Sequence, residues 1–381
     1  MAKTLKVIQD EKESLIANNE FLNSIQVKDL NESKVTFDEL SDFIERCWHH
    51  DYADEIRMKY SPSFLRYLSG KDEKDLTGVI AEYNNEIVGV ELGVKRLFEN
   101  KEKDQIESYV GTGMSIDPSF RRKRINQLLW LSVQEHFIKK GASLALGWID
   151  ERHNWGGSSN RIYTKSSGRV EYHNSVPCYV KSLDIDSSVK LGKLGNIEKV
   201  GLVALNTLFP HKKKSIKNRE FILFAPEYAE DCANFLFDKQ YSSDLRMVMT
   251  PEEVANKYTF SENGIDSVMF MSLDKNKIKG LLSGFTIPVS DNQRYFQVDF
   301  ALFDYGERYS NKRAFMANCH SVLNSEYDCF GVILPRNVAN ENVGKYGYVP
   351  LGTQAIIGNL LTDKNSGYDK SVHEKLYLDL R

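Results

Sequence analysis

The stretch IDPSFRRKRINQLL, residues 116–129, decides how the rest of the chain is read. The apolar strand ESYVGTGMSI stops at Asp117-Pro118, and proline cannot donate to a strand ladder. Four cations follow, Arg121, Arg122, Lys123 and Arg124. From Ile125, apolar residues recur at 125, 128, 129, 133 and 137, the spacing of a helix face that runs to Gly141. The first amides of such a helix have no partner inside it and point out of its N-terminus. Cations are mildly unfavourable there, because the helix dipole is positive at that end. Their concentration at this spot therefore points to an anion held by backbone amides and basic side chains together.

The basic cluster is local. The chain carries 50 Lys and Arg against 53 Asp and Glu, a net charge of −3, which argues against nucleic acid as a partner. A length of 381 residues predicts two domains. Cys47, Cys178, Cys232, Cys319 and Cys329 are scattered and odd in number, as in reduced thiols of a cytoplasmic protein rather than a disulfide frame or zinc site. The first twenty residues lack the apolar core of a signal peptide, and no apolar run is long enough to predict a membrane span. His49 and His50 are adjacent, so on a helix they diverge by about 100°, and no metal site is expected.

The pattern of elements repeats. Residues 1–34 predict a helical arm. Residues 35–183 predict a first domain: a short strand and helix (35–50), a helix at YSPSFLRYL (60–68), a hairpin around Asn84-Asn85, the strand at 106–116, the helix from Ile125, the strand SLALGWID (143–150), then a short helix, a glycine and a strand through SSNRIYTKSSGRVEYH (158–173). Residues 184–218, with the basic run HKKKSIKNR, predict a linker. Residues 219–381 repeat the order, with a hairpin around residues 274–277, a helix at 311–326 and a strand at 329–335. The expected class is α/β (α+β): two fused halves, each a mixed, mostly antiparallel sheet flanked by helices.

The order strand, D-P-x-x-R-x-K-x-I-x-x-x-L-L, helix, strand resembles the acyl-CoA-binding segment of the GCN5-related N-acetyltransferase (GNAT) superfamily. Its phosphate loop commonly reads R/Q-x-x-G-x-G/A; here Arg121 matches the first position, and Arg124 and Asn126 stand at the two small ones. The run Phe120 to Asn126 resembles more closely the L-R-S-K-R-L-A of the N-myristoyltransferase branch, and FLRYL resembles that branch's F-L-R-W-A-L. That branch also fuses two such halves.

The resemblance implies acetyl-CoA or a longer acyl-CoA as co-substrate, no metal, and an amine acceptor, small molecule or peptide, between the halves. Arg121, Arg122, Lys123, Arg124, Ile125 and Asn126 would hold the pyrophosphate. Gly113, Met114, Ser115 and Ile116 would hold the pantetheine along the strand edge, with the amide of Met114 or Gly113 stabilising the oxyanion that attack on a thioester creates. The attacking amine must be neutral, which calls for a base. Glu107, whose alternation with Tyr109, Gly111 and Gly113 predicts one shared face, is the first candidate. The terminal carboxylate of Arg381 and the side chain of Asp150 are the others. Tyr163 is the candidate donor to the leaving thiolate. FDYGERYSNKR (303–313) lacks the loop pattern, so the second half is expected to bind no CoA. Two other outcomes stay open at this point: a non-catalytic acyl-CoA-binding or protein-interaction module, and an N-acyltransferase fed by acyl-carrier protein.

Overall fold

The computed structural model describes residues 2–52, 59–70, 73–150, 172–212, 214, 216–240, 243, 245–290 and 293–361. The first half runs α1 (Ala2–Ala17), β1 (Gln26–Asp29), α2 (Phe37–Tyr52), α3 (Pro62–Ser69), β2 (Leu76–Tyr83), β3 (Glu86–Glu99), β4 (Gln105–Ile116), α4 (Ile125–Lys139), β5 (Leu144–Asp150) and β6 (Tyr172–Ser182). Two helices, α5 (Ile185–Leu191) and α6 (Asn196–Leu208), lead into the second half. It continues as β7 (Glu220–Leu223), α7 (Ala229–Lys239), β8 (Arg246–Val248), α8 (Pro251–Tyr258), β9 (Ser261–Glu262), β10 (Ile265–Asp274), β11 (Lys277–Ser290), β12 (Gln293–Phe303), α9 (Tyr309–Glu326), β13 (Cys329–Pro335) and β14 (Val349–Leu360).

Local chemistry explains the turns. Asn84 and Asn85 both take positive φ, as do Lys275 and Asn276, so two equivalent hairpins close through two-residue turns whose twist suits the flanking strands. Ser61 caps α3 through the amide of Phe64, with Pro62 as the first helical residue. Two expectations are corrected. The amino-terminal arm is helical only in part, because Gln26–Asp29 adds an edge strand to β2, a segment too short for alternation to reveal. No strand precedes α2 at residues 35–36.

The strands follow one hydrogen-bonded path, β1-β2-β3-β4-β5-β14-β6-β13-β12-β11-β10-β7, with β8 added to β3 and β9 to β10. Among the described strand pairs only β4–β5 and β12–β13 are parallel. The centre of this path is an exchange. β14, the last described strand of the second half, lies against β5 of the first, while β6 of the first lies against β13 of the second, and β6 and β14 pair with each other. The layers cross in the same way. α2 and α3 contribute to a core that takes in Phe285, Ile287, Tyr295 and Phe330 of the second half, and α7 and α8 to one that takes in Phe98, Val110, Leu144 and Leu146 of the first. α4, with α1 upon it, and α9 each cover their own half. All five cysteines are buried free thiols.

Candidate active site

The site begins where β4 parts from β5. Their parallel ladder runs only from Ser108–Leu144 to Gly111–Gly147, yet β4 continues to Ile116 and β5 to Asp150. On its other edge β4 pairs Thr112 with Leu92 and Ser115 with Val90, so Gly113 and Met114 together oppose Glu91. This is a β-bulge. Gly113 has φ +63, a conformation glycine adopts without steric cost, and a Cβ there would lie 3.0 Å from the Tyr60 ring.

Helices α2 and α3 clamp the bulge through the segment between them. The Tyr60 hydroxyl accepts from the Gly113 amide at 3.0 Å and contacts the Thr112 hydroxyl. The Trp48 ring nitrogen donates to the Met114 carbonyl at 3.4 Å, and the Tyr60 amide donates to Glu45 at 2.7 Å. Burial pushes the Tyr60 phenol up to about 12. Of the two amides proposed to face a thioester carbonyl, that of Gly113 is therefore already engaged by Tyr60.

After β4 the chain turns at Asp117. Its carboxylate accepts from the Ser119 amide at 2.9 Å and faces Arg46 at 3.5 Å. Burial opposes its ionisation, but the Ser119 hydroxyl and amide, Arg46 and Arg121 hold its pKa below the usual range. The basic loop then takes left-handed φ twice, +64 at Arg122 and +67 at Arg124, directly before the first residue of α4. The fold has kept the backbone that glycine would give and has imposed it on arginine, at a cost of about 1 kcal/mol. The amides of Phe120 and Arg121 bond back to Asp117 and Pro118, and those of Gln127 and Leu128 to the Arg124 carbonyl. Between them lie the amides of residues 122–126, in the position where a first helical turn faces an external acceptor. Arg124 reaches Gln127 at 2.7 Å, and the Lys123 ammonium lies 4.3 Å from the Phe21 ring and 4.8 Å from Phe120. A hollow of about 450 Å³, lined by Ser14 of α1, by Asn18 just after it and by Arg124 and Gln127, lies beside the line where α1 packs on α4.

No family model matches the sequence, and no curated protein does. The fold has solved counterparts. Saccharomyces cerevisiae N-myristoyltransferase with bound myristoyl-CoA matches with a TM-score of 0.66 at 12% identity, over 89% of this chain and 79% of that one. A tandem GNAT protein from the clavulanic acid biosynthesis pathway matches with a TM-score of 0.56 at 10% identity, over 90% of this chain and all of that one. This is a tandem GNAT fold of the N-myristoyltransferase kind.

Within the tandem GNAT fold the expected site residues divide. Met114, Ser115 and Ile116 lie along the part of β4 beyond the β5 ladder, and Arg121 to Asn126 form the loop and first turn of α4. Glu107 is corrected. It pairs with Lys95 at 3.0 Å and sits beside Gly141, past the far end of α4. Six residues of strand separate it from Gly113, roughly 20 Å. The bulge also breaks the expected shared face: Tyr109 stacks on Phe137 of α4 at 4.6 Å, whereas Gly113 faces Tyr60 on the opposite side. Asp150 is described at its backbone, paired with Gln354. Tyr163 and Arg381 lie outside the described residues. Among the described residues no cluster of three His, Cys, Asp or Glu could hold a metal.

Three residues escaped sequence reasoning. Tyr60 and Trp48 bracket the bulge, although Tyr60 begins the YSPSFLRYL segment. Glu91 opposes the bulge, is 4% exposed, and its Oε2 has no hydrogen-bond partner. Gly89 and Gly93 flank it on a face covered by Leu129 and Phe137 of α4. Burial pushes its carboxyl up to about 8.

The tandem GNAT repeat is not equal in its two halves. β12 leaves β13 after Gln297–Ile333 and bulges at Asp299, between the pairs Ser283–Phe300 and Gly284–Val298. There the space is filled by protein. Lys257 and Asp299 form an ion pair at 2.6 Å, 1% and 0% exposed, with the Tyr258 hydroxyl 3.5 Å from Asp299 and 3.1 Å from the Ser283 hydroxyl. The residue before α9, Arg308, has φ −67, so the left-handed turn found at Arg124 is not repeated.

Proposed function

We propose that this protein transfers an acyl group from an acyl-CoA thioester to an amine by direct attack. One observation carries it: the Gly113-Met114 bulge opens onto a strand edge beyond the β5 ladder, and that edge leads straight into a left-handed basic loop at the start of α4. The solved N-myristoyltransferase of like fold, which holds myristoyl-CoA, supports the same assignment. Amides 122–126 would take the pyrophosphate, with Arg121, Arg122 and Arg124 adding charge. The edge from Met114 to Ile116 would pair with the pantetheine, and the Met114 amide would meet the developing oxyanion. The amine nitrogen attacks the carbonyl carbon, a C–N bond forms, the C–S bond breaks, and the thiolate leaves. With Glu107 remote, the amine's surplus proton goes to Asp150, and Tyr163 protonates the thiolate. The second half, whose bulge is closed by Lys257–Asp299, shapes the acceptor side and binds no CoA.

Native mass spectrometry of the protein purified from cells should reveal the thioester it carries. Calorimetric titration with CoA gives the quantitative test: Arg124→Glu should weaken affinity about tenfold or more while the melting temperature holds. Unchanged affinity removes the loop assignment. CoA binding without thiol release toward any amine makes the protein an acyl-CoA binder rather than an enzyme.

A further inference from the structure

Helix α6 buries none of its residues, yet it is rich in apolar side chains. Ile197 is 87% exposed, Val200 69% and Leu208 64%. With Leu194 before the helix, and with Gly201 and Ala204, they follow the spacing of a single helical stripe. The opposite side, at Leu202 and Asn206, is half-buried. The helix is held in this attitude. Arg313 donates to the Leu208 carbonyl at 2.6 Å, Lys181 to the Phe209 carbonyl at 3.1 Å, and Lys199 pairs with Asp186 of α5 at 2.8 Å.

The surrounding charge decides what such a face fits. From Val189 to Arg219 the sequence has seven lysines and one arginine against one carboxylate, Glu198, in a chain whose net charge is −3. Lys190, Lys193, Lys212, Lys214 and Lys217 are exposed before and after the stripe. A second copy of the chain docked here would bring these lysines together, whereas a bilayer with anionic headgroups would neutralise them. An apolar stripe flanked by lysines is the pattern of a helix lying in the plane of a membrane interface.

We propose that α6 and its lysine flanks dock the protein onto the surface of an anionic lipid bilayer, with Ile197, Val200 and Leu208 entering the headgroup boundary. Binding of this kind requires neither CoA nor turnover, so it is tested separately from the enzymology. The full chain should float with vesicles of phosphatidylcholine containing about 30% phosphatidylglycerol, at least about tenfold more than with pure phosphatidylcholine, and less as salt rises. Ile197→Glu with Val200→Glu should abolish flotation with the melting temperature unchanged, because both side chains face water. Lys212→Glu with Lys214→Glu should reduce it about fivefold or more. Should the glutamate pair disturb folding, Val200→Trp gives a second readout, a blue shift of its emission on adding anionic vesicles. Absence of flotation with anionic vesicles overturns the proposal, as does wild-type flotation by the folded glutamate pair. A dimer in analytical ultracentrifugation that the glutamate pair dissociates, with no vesicle binding, assigns the stripe to a second copy instead.

Discussion

Arg124, Tyr60 and Glu91 each occupy a place that a simpler residue would fill at lower cost. Arg124 holds a left-handed backbone where glycine would be unstrained. Tyr60 supplies the acceptor for the Gly113 amide, so Tyr60→Phe should leave that buried donor unsatisfied and lower unfolding free energy by about 1–3 kcal/mol in urea titrations. Wild-type stability in this variant would mean that the bulge does not depend on the Tyr60 hydroxyl. Glu91 carries a raised folded pKa of about 8. Its contribution to stability is therefore whole below the ordinary carboxylate range and is lost as pH climbs toward 8, since the unfolded chain ionises first. Glu91→Gln cannot ionise, so it should match wild type at about pH 4 and exceed it by on the order of 1–3 kcal/mol at about pH 9. A gap that stays constant with pH would place the ionisation elsewhere. The basic segment from Arg121 to Arg124 was legible as the entry to α4 because four cations stand together where strand gives way to helix. Tyr60 and Glu91 were not, because their roles come from partners 53 residues ahead in Gly113 and across a strand pair.

Among the elements, two equivalent bulges meet different fates. The one in β4 presents an edge; the one in β12 is closed by Lys257 and Asp299. Asp299→Ala should strand a buried ammonium and destabilise the protein by about 3–5 kcal/mol, whereas Lys257→Met with Asp299→Leu should be neutral or stabilising. Equal losses in both variants would mean that the ion pair itself, rather than packing, holds α8 to the sheet. The sequence made the hairpins, the long strands and α4 plain through turn residues and periodicity. It misled in placing Gly113 on one face with Glu107, because alternation predicts faces only in an unbroken ladder, and the residue inserted at Gly113-Met114 breaks it. Edge strand β1 and β8 escaped because four and three residues hold too little pattern to read.

Over the whole molecule, the two halves share one sheet rather than merely touching. The repeat of element order was visible in the sequence, but the exchange of β6 and β14 was not, since a strand's alternation records which face is buried and not which neighbour lies beside it. Residues 1–212 alone would keep β6 without β13 or β14, and should show no cooperative thermal transition by circular dichroism. Co-expression with residues 213–381 should restore a single transition near that of the intact protein. Independent melting of the amino-terminal fragment would show that the exchange is dispensable. The same exchange orders events at the ribosome. The first half stays incomplete until β14 has been translated, because the strand that finishes its sheet belongs to the second half. Throughout that interval the nascent protein exposes the open edge of β5, so its synthesis calls for a chaperone able to shield that edge until release.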